Sequence, residues 1–258
     1  MVEAAQTHQG TVRIRIKRQD GPDAAPHWDT FEVPYKHGMN VISALQDIQR
    51  HPVTSGGTRV APPVWDCNCL EEVCGACTMV VNGRVRQSCS SLIDDPTVGR
   101  DITLEPMSKF PVVRDLMVDR QRIFNDLKRV KAWITVDGTH DLGPGPKYSE
   151  DDQQWRYKLS ECMSCGCCME ACPQYLKGGD FIGAAVMGQV ELFNSHPTGA
   201  MNADARTVAA TGKGGVMDCG SAQNCVEVCP KKIPLTDAIA NLSRRATKLM
   251  FKQIFAAK

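Results

Sequence analysis

The sequence predicts an α+β chain of two domains, a strand-rich one followed by a helical one. Three observations carry that expectation. The chain opens with apolar and basic residues in strict alternation, it carries an Asn82-Gly83 hairpin signal, and past about residue 108 its apolar spacing turns helical. At 258 residues it exceeds one typical domain. The division is placed after residue 110, giving domains 1–110 and 111–258.

Thr11–Arg18 alternates in the manner of a half-buried strand. Residues 20–29, rich in Gly, Pro and Asp, read as a turn, and Phe31–Tyr35 as the partner strand. Asn40 is placed to cap a helix over Val41–Arg50, with Val41, Ala44, Leu45 and Ile48 on one face. Thr78–Val81 and Val85–Ser88 flank the Asn82-Gly83 turn, and Ile102–Glu105 completes the strand-rich unit. Beyond it, residues 114–131 read as a helix, with Leu116, Ile123, Leu127 and Val130 near helical spacing, and Asp137–Pro146 as a loop. The last helix is expected over Asp237–Ala257.

Composition excludes several classes of function. Thirty basic and 29 acidic residues leave a net charge of +1, which gives no electrostatic reason to expect a nucleic-acid partner. No apolar run approaches the roughly 18 residues of a membrane span. The opening residues lack the hydrophobic stretch of a signal peptide, so a cytoplasmic-side protein is expected. Thirteen cysteines then need a reason. An odd count in a long chain without an export signal argues against disulfides and for metal ligation.

The cysteines fall in three groups, 67–89, 162–172 and 219–229. The first reads Cys69-x4-Cys74-x2-Cys77 with Cys89 eleven residues on, the plant-type [2Fe–2S] spacing. Two bridged irons need two thiolates each. A tight loop can supply three and a hairpin the fourth, while Gly75 lets backbone amides approach the sulfurs. Zinc is the competing reading, but its ligands usually come as two separated pairs. Cys67 is read as a spare thiol. The second group, Cys162-x2-Cys165-x2-Cys168-x3-Cys172-Pro173, is the bacterial ferredoxin run, whose fourth cysteine serves the other cluster. Cys167 breaks that spacing and is read as a non-ligand. The third group, Cys219-x2-Ala222-x2-Cys225-x3-Cys229-Pro230, has the same frame with alanine in the second slot. By exchange, a [4Fe–4S] cluster takes Cys162, Cys165, Cys168 and Cys229. Cys172, Cys219 and Cys225 then remain for a cluster that lacks one thiolate, which points to [3Fe–4S]. The alternative is a four-iron cube whose last iron is held by water or another residue.

This order of motifs resembles the iron–sulfur subunits of succinate dehydrogenase and fumarate reductase, along nearly the whole chain. Phe181-Ile-Gly-Ala-Ala also looks like family sequence. The resemblance implies a plant-ferredoxin-like (β-grasp) N-terminal domain and a helical, bacterial-ferredoxin-like C-terminal one. It implies a flavoprotein subunit with covalent FAD, where succinate and fumarate interconvert, and a haem b-bearing membrane anchor subunit that binds quinone. This chain would contribute no catalytic acid or base, only the electron path. Ubiquinone-linked members usually carry tryptophan shortly after the cysteine matching Cys172 and histidine directly after the one matching Cys219. Here the chain reads Pro173-Gln-Tyr-Leu-Lys-Gly178 and Gly220, closer to bacterial members that use menaquinone.

Other features carry blander expectations. The six histidines stand outside any cysteine–histidine motif, with His8, His27, His37 and His140 in polar or turn-like sequence. Gly212-Lys-Gly-Gly215 lacks the spacing of a phosphate loop and is expected to be a flexible turn. The last helix sets Ile239, Leu242, Ala246 and Leu249 against Arg244, Arg245, Lys248 and Lys252. Packing on its own domain is favoured over a basic face resting on lipid.

Overall fold

The computed structural model describes residues 10–135 and 145–256. The chain forms two compact units, Met1–Asp119 and Arg120–Lys258. His8, His140, Ala257 and most of the expected 137–146 loop lie outside the described residues.

The first unit is built on a five-stranded mixed sheet. Strands β1 (Thr11–Arg18), β2 (His27–Pro34), β3 (Thr78–Val81), β4 (Arg84–Gln87) and β5 (Asp101–Glu105) take the order β2-β1-β5-β3-β4. The outer pairs are antiparallel hairpins, and β1 runs parallel to β5, pairing Ile14 with Ile102. Alternation does what the sequence demands. Val12, Ile14 and Ile16 are fully buried on one face, each such side chain worth about 1.5–3 kcal/mol in burial. Helix α1 (Val41–Arg50) adds Val41, Leu45 and Ile48 to the same core. Asn40 and Ser43 cap it reciprocally, the Asn40 side chain accepting from Ser43 N–H at 2.8 Å. Asn82 and Gly83 both take positive φ, 50° and 74°, as the two-residue turn between β3 and β4 requires.

One expected helix is corrected. Residues 114–120 are not helical: Val112–Arg114 and Met117–Val118 pair as a small hairpin, β6 and β7, and the helix α2 spans Gln121–Arg129. The cause is Asp115, fully buried in the tip of that hairpin. Its carboxylate accepts from Arg18 Nε at 2.9 Å and from the backbone N–H of Gln19 and Val64 at 3.0 and 2.9 Å. Arg18, itself 2% exposed, also donates to Asp29 and to the Ala61 carbonyl. This buried ion pair ties the hairpin to the end of β1, so the first unit runs to Asp119, past the boundary expected after residue 110. The early turn is also shorter than expected, since β2 begins at His27.

The second unit is helical. Around the central helix α5 (Gly183–Ser195) pack α3 (Glu150–Ser160), α6 (Ala203–Thr211) and α8 (Leu235–Ala256), with short helices α4 (Cys167–Glu170) and α7 (Asn224–Glu227). Small residues let α5 sit this deep. A Cβ on Gly188 would stand 3.0 Å from Leu235. The segment 212–215 is a close-packed turn rather than the flexible one expected. A Cβ on Gly214 would stand 2.0 Å from the Asp180 carbonyl oxygen, and Ile182 N–H donates to the Gly214 carbonyl at 2.9 Å. Among the described residues, no helix is long and apolar enough to cross a membrane.

Candidate metal centres

In the first unit the loop before β3 folds its amides around a sulfur. Leu70, Glu72 and Gly75 have φ of 61°, 55° and 71°. Left-handed residues alternating with right-handed ones turn successive N–H groups inward and make an anion-binding concavity. Glu71, Val73 and Cys74 N–H donate to Cys69 Sγ at 3.4, 3.3 and 3.3 Å. Those bonds, the one from Glu71 foremost, hold the Cys69 thiol down to about 6. Ala76 N–H donates to Cys74 Sγ at 3.4 Å. Non-glycine residues in this conformation cost roughly 1–2 kcal/mol each, a strain that persists where the fold needs the inward amides.

The β3–β4 hairpin returns the fourth cysteine. Cys89 N–H donates to Cys77 Sγ at 3.4 Å, and Asn40 Nδ2 donates to the Cys89 carbonyl at 2.9 Å, pinning it to the start of α1. Burial pushes the Cys77 thiol up to about 12. Without metal it is therefore a neutral thiol, and a cationic iron beside it would supply the charge that makes thiolate favourable. Cys67 is exposed.

In the second unit the two cysteine runs share one backbone pattern. Ser164 and Gly166 take φ of 51° and 89°, and Ser221 and Gln223, at the same offsets, take 55° and 62°. Each pair leads into a short helix, α4 or α7. Ala222 thus occupies the place in its loop that Cys165 occupies in the other. Asn224 Nδ2 links the runs through the Ala171 carbonyl at 2.9 Å. Cys162, Cys165, Cys168 and Cys229 line one recess, which Cys167 also borders, and Cys172, Cys219 and Cys225 line another together with Ala222. The last cysteine of each run lines the recess opened by the other run.

The electrostatics follow this grouping. Burial, then the neighbouring Cys165 and Cys229, push Cys162 up to about 11, and the same kinds of causes raise Cys168 well above its ordinary value. Burial, with Cys219 and Cys172 nearby, raises Cys225. Cys165 is held down to about 7, chiefly by the hydrogen bond from Cys167, which is fully buried. Among the described residues no group of three or more His, Cys, Asp or Glu converges on a point as a single ion would require. Thiols that line a common recess suit polynuclear clusters, whose irons sit at separate corners. The residues present fit such groups.

Sequence reasoning missed some of the supporting residues. Ala184 and Ala185, consecutive in the first turn of α5, line one recess each, and only the run of small residues between the motifs hints at it. The tie from Asn40 to Cys89 crosses 49 positions of sequence and leaves no local signal. Gln87 and Thr78, buried beside Cys77, were not singled out either.

A strand-rich unit whose loop amides point at cysteine sulfurs and a helical unit whose two cysteine runs share two recesses define an iron–sulfur electron-transfer protein. A family profile described as a 2Fe-2S iron-sulfur cluster binding domain matches residues 13–125, and one described as a 4Fe-4S dicluster domain matches 158–233. The chain is 54% identical over 251 residues to the succinate dehydrogenase iron-sulfur subunit of Bacillus subtilis, covering 97% of this chain and 98% of that one. It is 30% identical over 236 residues to the fumarate reductase iron-sulfur subunit of Wolinella succinogenes, covering 90% and 95%. A solved structure, the Mycobacterium smegmatis Sdh1 complex in the apo form, shares the fold with a TM-score of 0.76 at 24% identity, over 93% of this chain and 97% of that one. The chain belongs to the family of iron–sulfur subunits of succinate dehydrogenase and fumarate reductase, which are parts of an oxidoreductase complex.

Proposed function

We propose that this chain passes single electrons between the FAD of a flavoprotein subunit and quinone at a membrane anchor subunit, on the cytoplasmic face of the membrane. In the tricarboxylic acid cycle this links succinate oxidation to the respiratory chain. Cys69, Cys74, Cys77 and Cys89 hold a [2Fe–2S] cluster. Cys162, Cys165, Cys168 and Cys229 hold [4Fe–4S], and Cys172, Cys219 and Cys225 hold [3Fe–4S]. When bound, the clusters supply one-electron chemistry that the side chains cannot. The chain's own residues supply thiolates, direct amides at the sulfurs and bury the sites, and these set the potentials.

The observation that carries the cluster reading is the exchange of cysteines between two recesses: Cys229 joins Cys162, Cys165 and Cys168, with Cys167 beside them, in one, and Cys172 joins Cys219 and Cys225 beside Ala222 in the other. Menaquinone as acceptor is supported at Gly220. Ubiquinone-linked members usually carry histidine there, and here Gln174 Nε2 lies where a Cβ at 220 would stand, at 2.1 Å. Operation as a fumarate reductase is the second reading, favoured by the relatives of that name. The testing experiment is purification from membranes, with electron paramagnetic resonance during a redox titration. Three distinct cluster signals, together with a covalent flavoprotein and a haem b-bearing membrane protein, are expected. A single signal, or a chain purifying alone with full occupancy, overturns the proposal.

A further inference from the structure

Gln87 is an amide enclosed beside a sulfur, 1% exposed at the end of β4. Its cross-strand partner on β3 is Thr78, 4% exposed. The two side chains form a directed relay. Cys77 Sγ donates to Gln87 Oε1 at 3.5 Å, Gln87 Nε2 donates to Thr78 Oγ1 at 2.7 Å, and Thr78 Oγ1 donates to the Gly75 carbonyl at 2.8 Å. The first bond in that line depends on the Cys77 sulfur carrying its proton.

A sulfur bound to iron carries none. The first bond then cannot form, and an amide oxygen would face a thiolate with no water to screen the repulsion. The side chain has one low-cost remedy. An amide is nearly symmetric in shape, so a half-turn about its last torsion exchanges oxygen and nitrogen without moving other atoms. After it, Nε2 donates to the sulfur and Oε1 accepts from the Thr78 hydroxyl, whose single proton turns from the Gly75 carbonyl to the amide. Burial closes the other remedy, since Gln87 cannot swing out to solvent.

We propose that Gln87 is a positioning residue for the [2Fe–2S] cluster: in the loaded protein its side-chain amide donates to the Cys77 thiolate, with Thr78 orienting it. The inference rests on Cys77 being a cluster ligand. A donor to a ligand sulfur stabilises the reduced cluster, which is more negative, over the oxidised one, and so raises the potential. Gln174 makes the same kind of contact, accepting from Cys172 Sγ at 3.5 Å, but it is only half-buried and can turn away, so it provides a control.

The test is a redox titration of the assembled complex in membranes, reading the [2Fe–2S] resonance in wild type, Gln87→Leu, Gln87→Met and Gln174→Leu. The two Gln87 variants keep the volume and lose the donor. Each is expected to make reduction about tenfold less favourable, a downward shift of about 59 mV for one electron, while the other two clusters keep their potentials and the Gln174→Leu complex keeps its [2Fe–2S] potential. An unchanged or raised potential overturns the inference, since a rise would mean that the oxygen still faces the sulfur. Should neither variant load its cluster, wild-type complex labelled with 15N in glutamine side-chain amides decides the question. A nitrogen hyperfine coupling on the reduced cluster supports the inference, and none overturns it. Absence of any [2Fe–2S] resonance in wild type would instead overturn the cluster assignment itself.

Discussion

Cys67 and Cys167 each lie one or two positions from a proposed ligand, and their surroundings separate them. Cys67 is exposed, whereas Cys167 is fully buried and hydrogen-bonded to Cys165. Serine at either position is expected to leave about nine irons per chain, held by the other eleven of the thirteen cysteines. Loss of a cluster in an iron assay would show the ligand set to be wrong. Alkylation separates the two further. In the loaded protein at neutral pH, iodoacetamide should modify Cys67 and spare Cys167. After iron is removed, Cys69, held near 6, is mostly thiolate at pH 7, while Cys77, near 12, keeps its proton. The thiolate is the nucleophile, so Cys69 should label well before Cys77, as peptide mapping by mass spectrometry can read. Equal rates would mean that the loop amides do not hold their sulfur once the metal is gone.

At the scale of the element, the two cysteine loops of the helical unit test whether ligand count or backbone geometry sets a cluster's size. Residues 219–225 repeat the left-handed positions of 162–168, so a cysteine at 222 should present its sulfur as Cys165 does. Ala222→Cys is expected to replace the three-iron resonance of the oxidised protein by a second [4Fe–4S] resonance on reduction, at a lower potential. An unchanged spectrum in a fully loaded variant would give the deciding role to geometry. In the first unit, Asn40→Ala removes a helix cap worth about 1 kcal/mol and also the donor to Cys89. It should lower the denaturation midpoint and speed loss of the [2Fe–2S] cluster, and cluster loss at the wild-type rate would contradict that link. These elements also show what was legible in the sequence. Strand β1, helix α1 with its cap and the Asn82-Gly83 turn are local patterns, and they stand where spacing put them. The helix expected over 114–131 lost its first turns to a hairpin because Asp115 pairs with Arg18, and period alone cannot see a partner 97 positions away. The flexibility expected at 212–215 was misread for the same reason, since Gly214 packs on the Asp180 carbonyl across the unit. The Gln87 relay is likewise a tertiary fact, made by strand register.

At the scale of the whole molecule, the net charge of +1 suits a chain held permanently between partners, which needs contact area more than long-range steering. Among the described residues no helix is long and apolar enough to cross a membrane, and the proposed path to quinone runs through an anchor subunit. That arrangement divides the complex into an end where succinate and fumarate interconvert and an end where quinone is served, with this chain as the connection. Breaking the connection at its far end should therefore separate two activities that are otherwise coupled. Cys219 is one of three thiols that line the recess beside Ala222, and it does not line the other. Cys219→Ala is expected to abolish succinate-dependent quinone reduction in membrane fractions. It should spare fumarate reduction by an artificial donor that feeds the flavin directly, because that reaction uses no part of the path beyond it. Assembly is checked by co-purification of the flavoprotein. Quinone reduction persisting in an assembled variant would mean that electrons bypass the third cluster. Undiminished quinone reduction in membranes lacking this chain altogether would overturn its place in the path and leave a freestanding ferredoxin as the better reading.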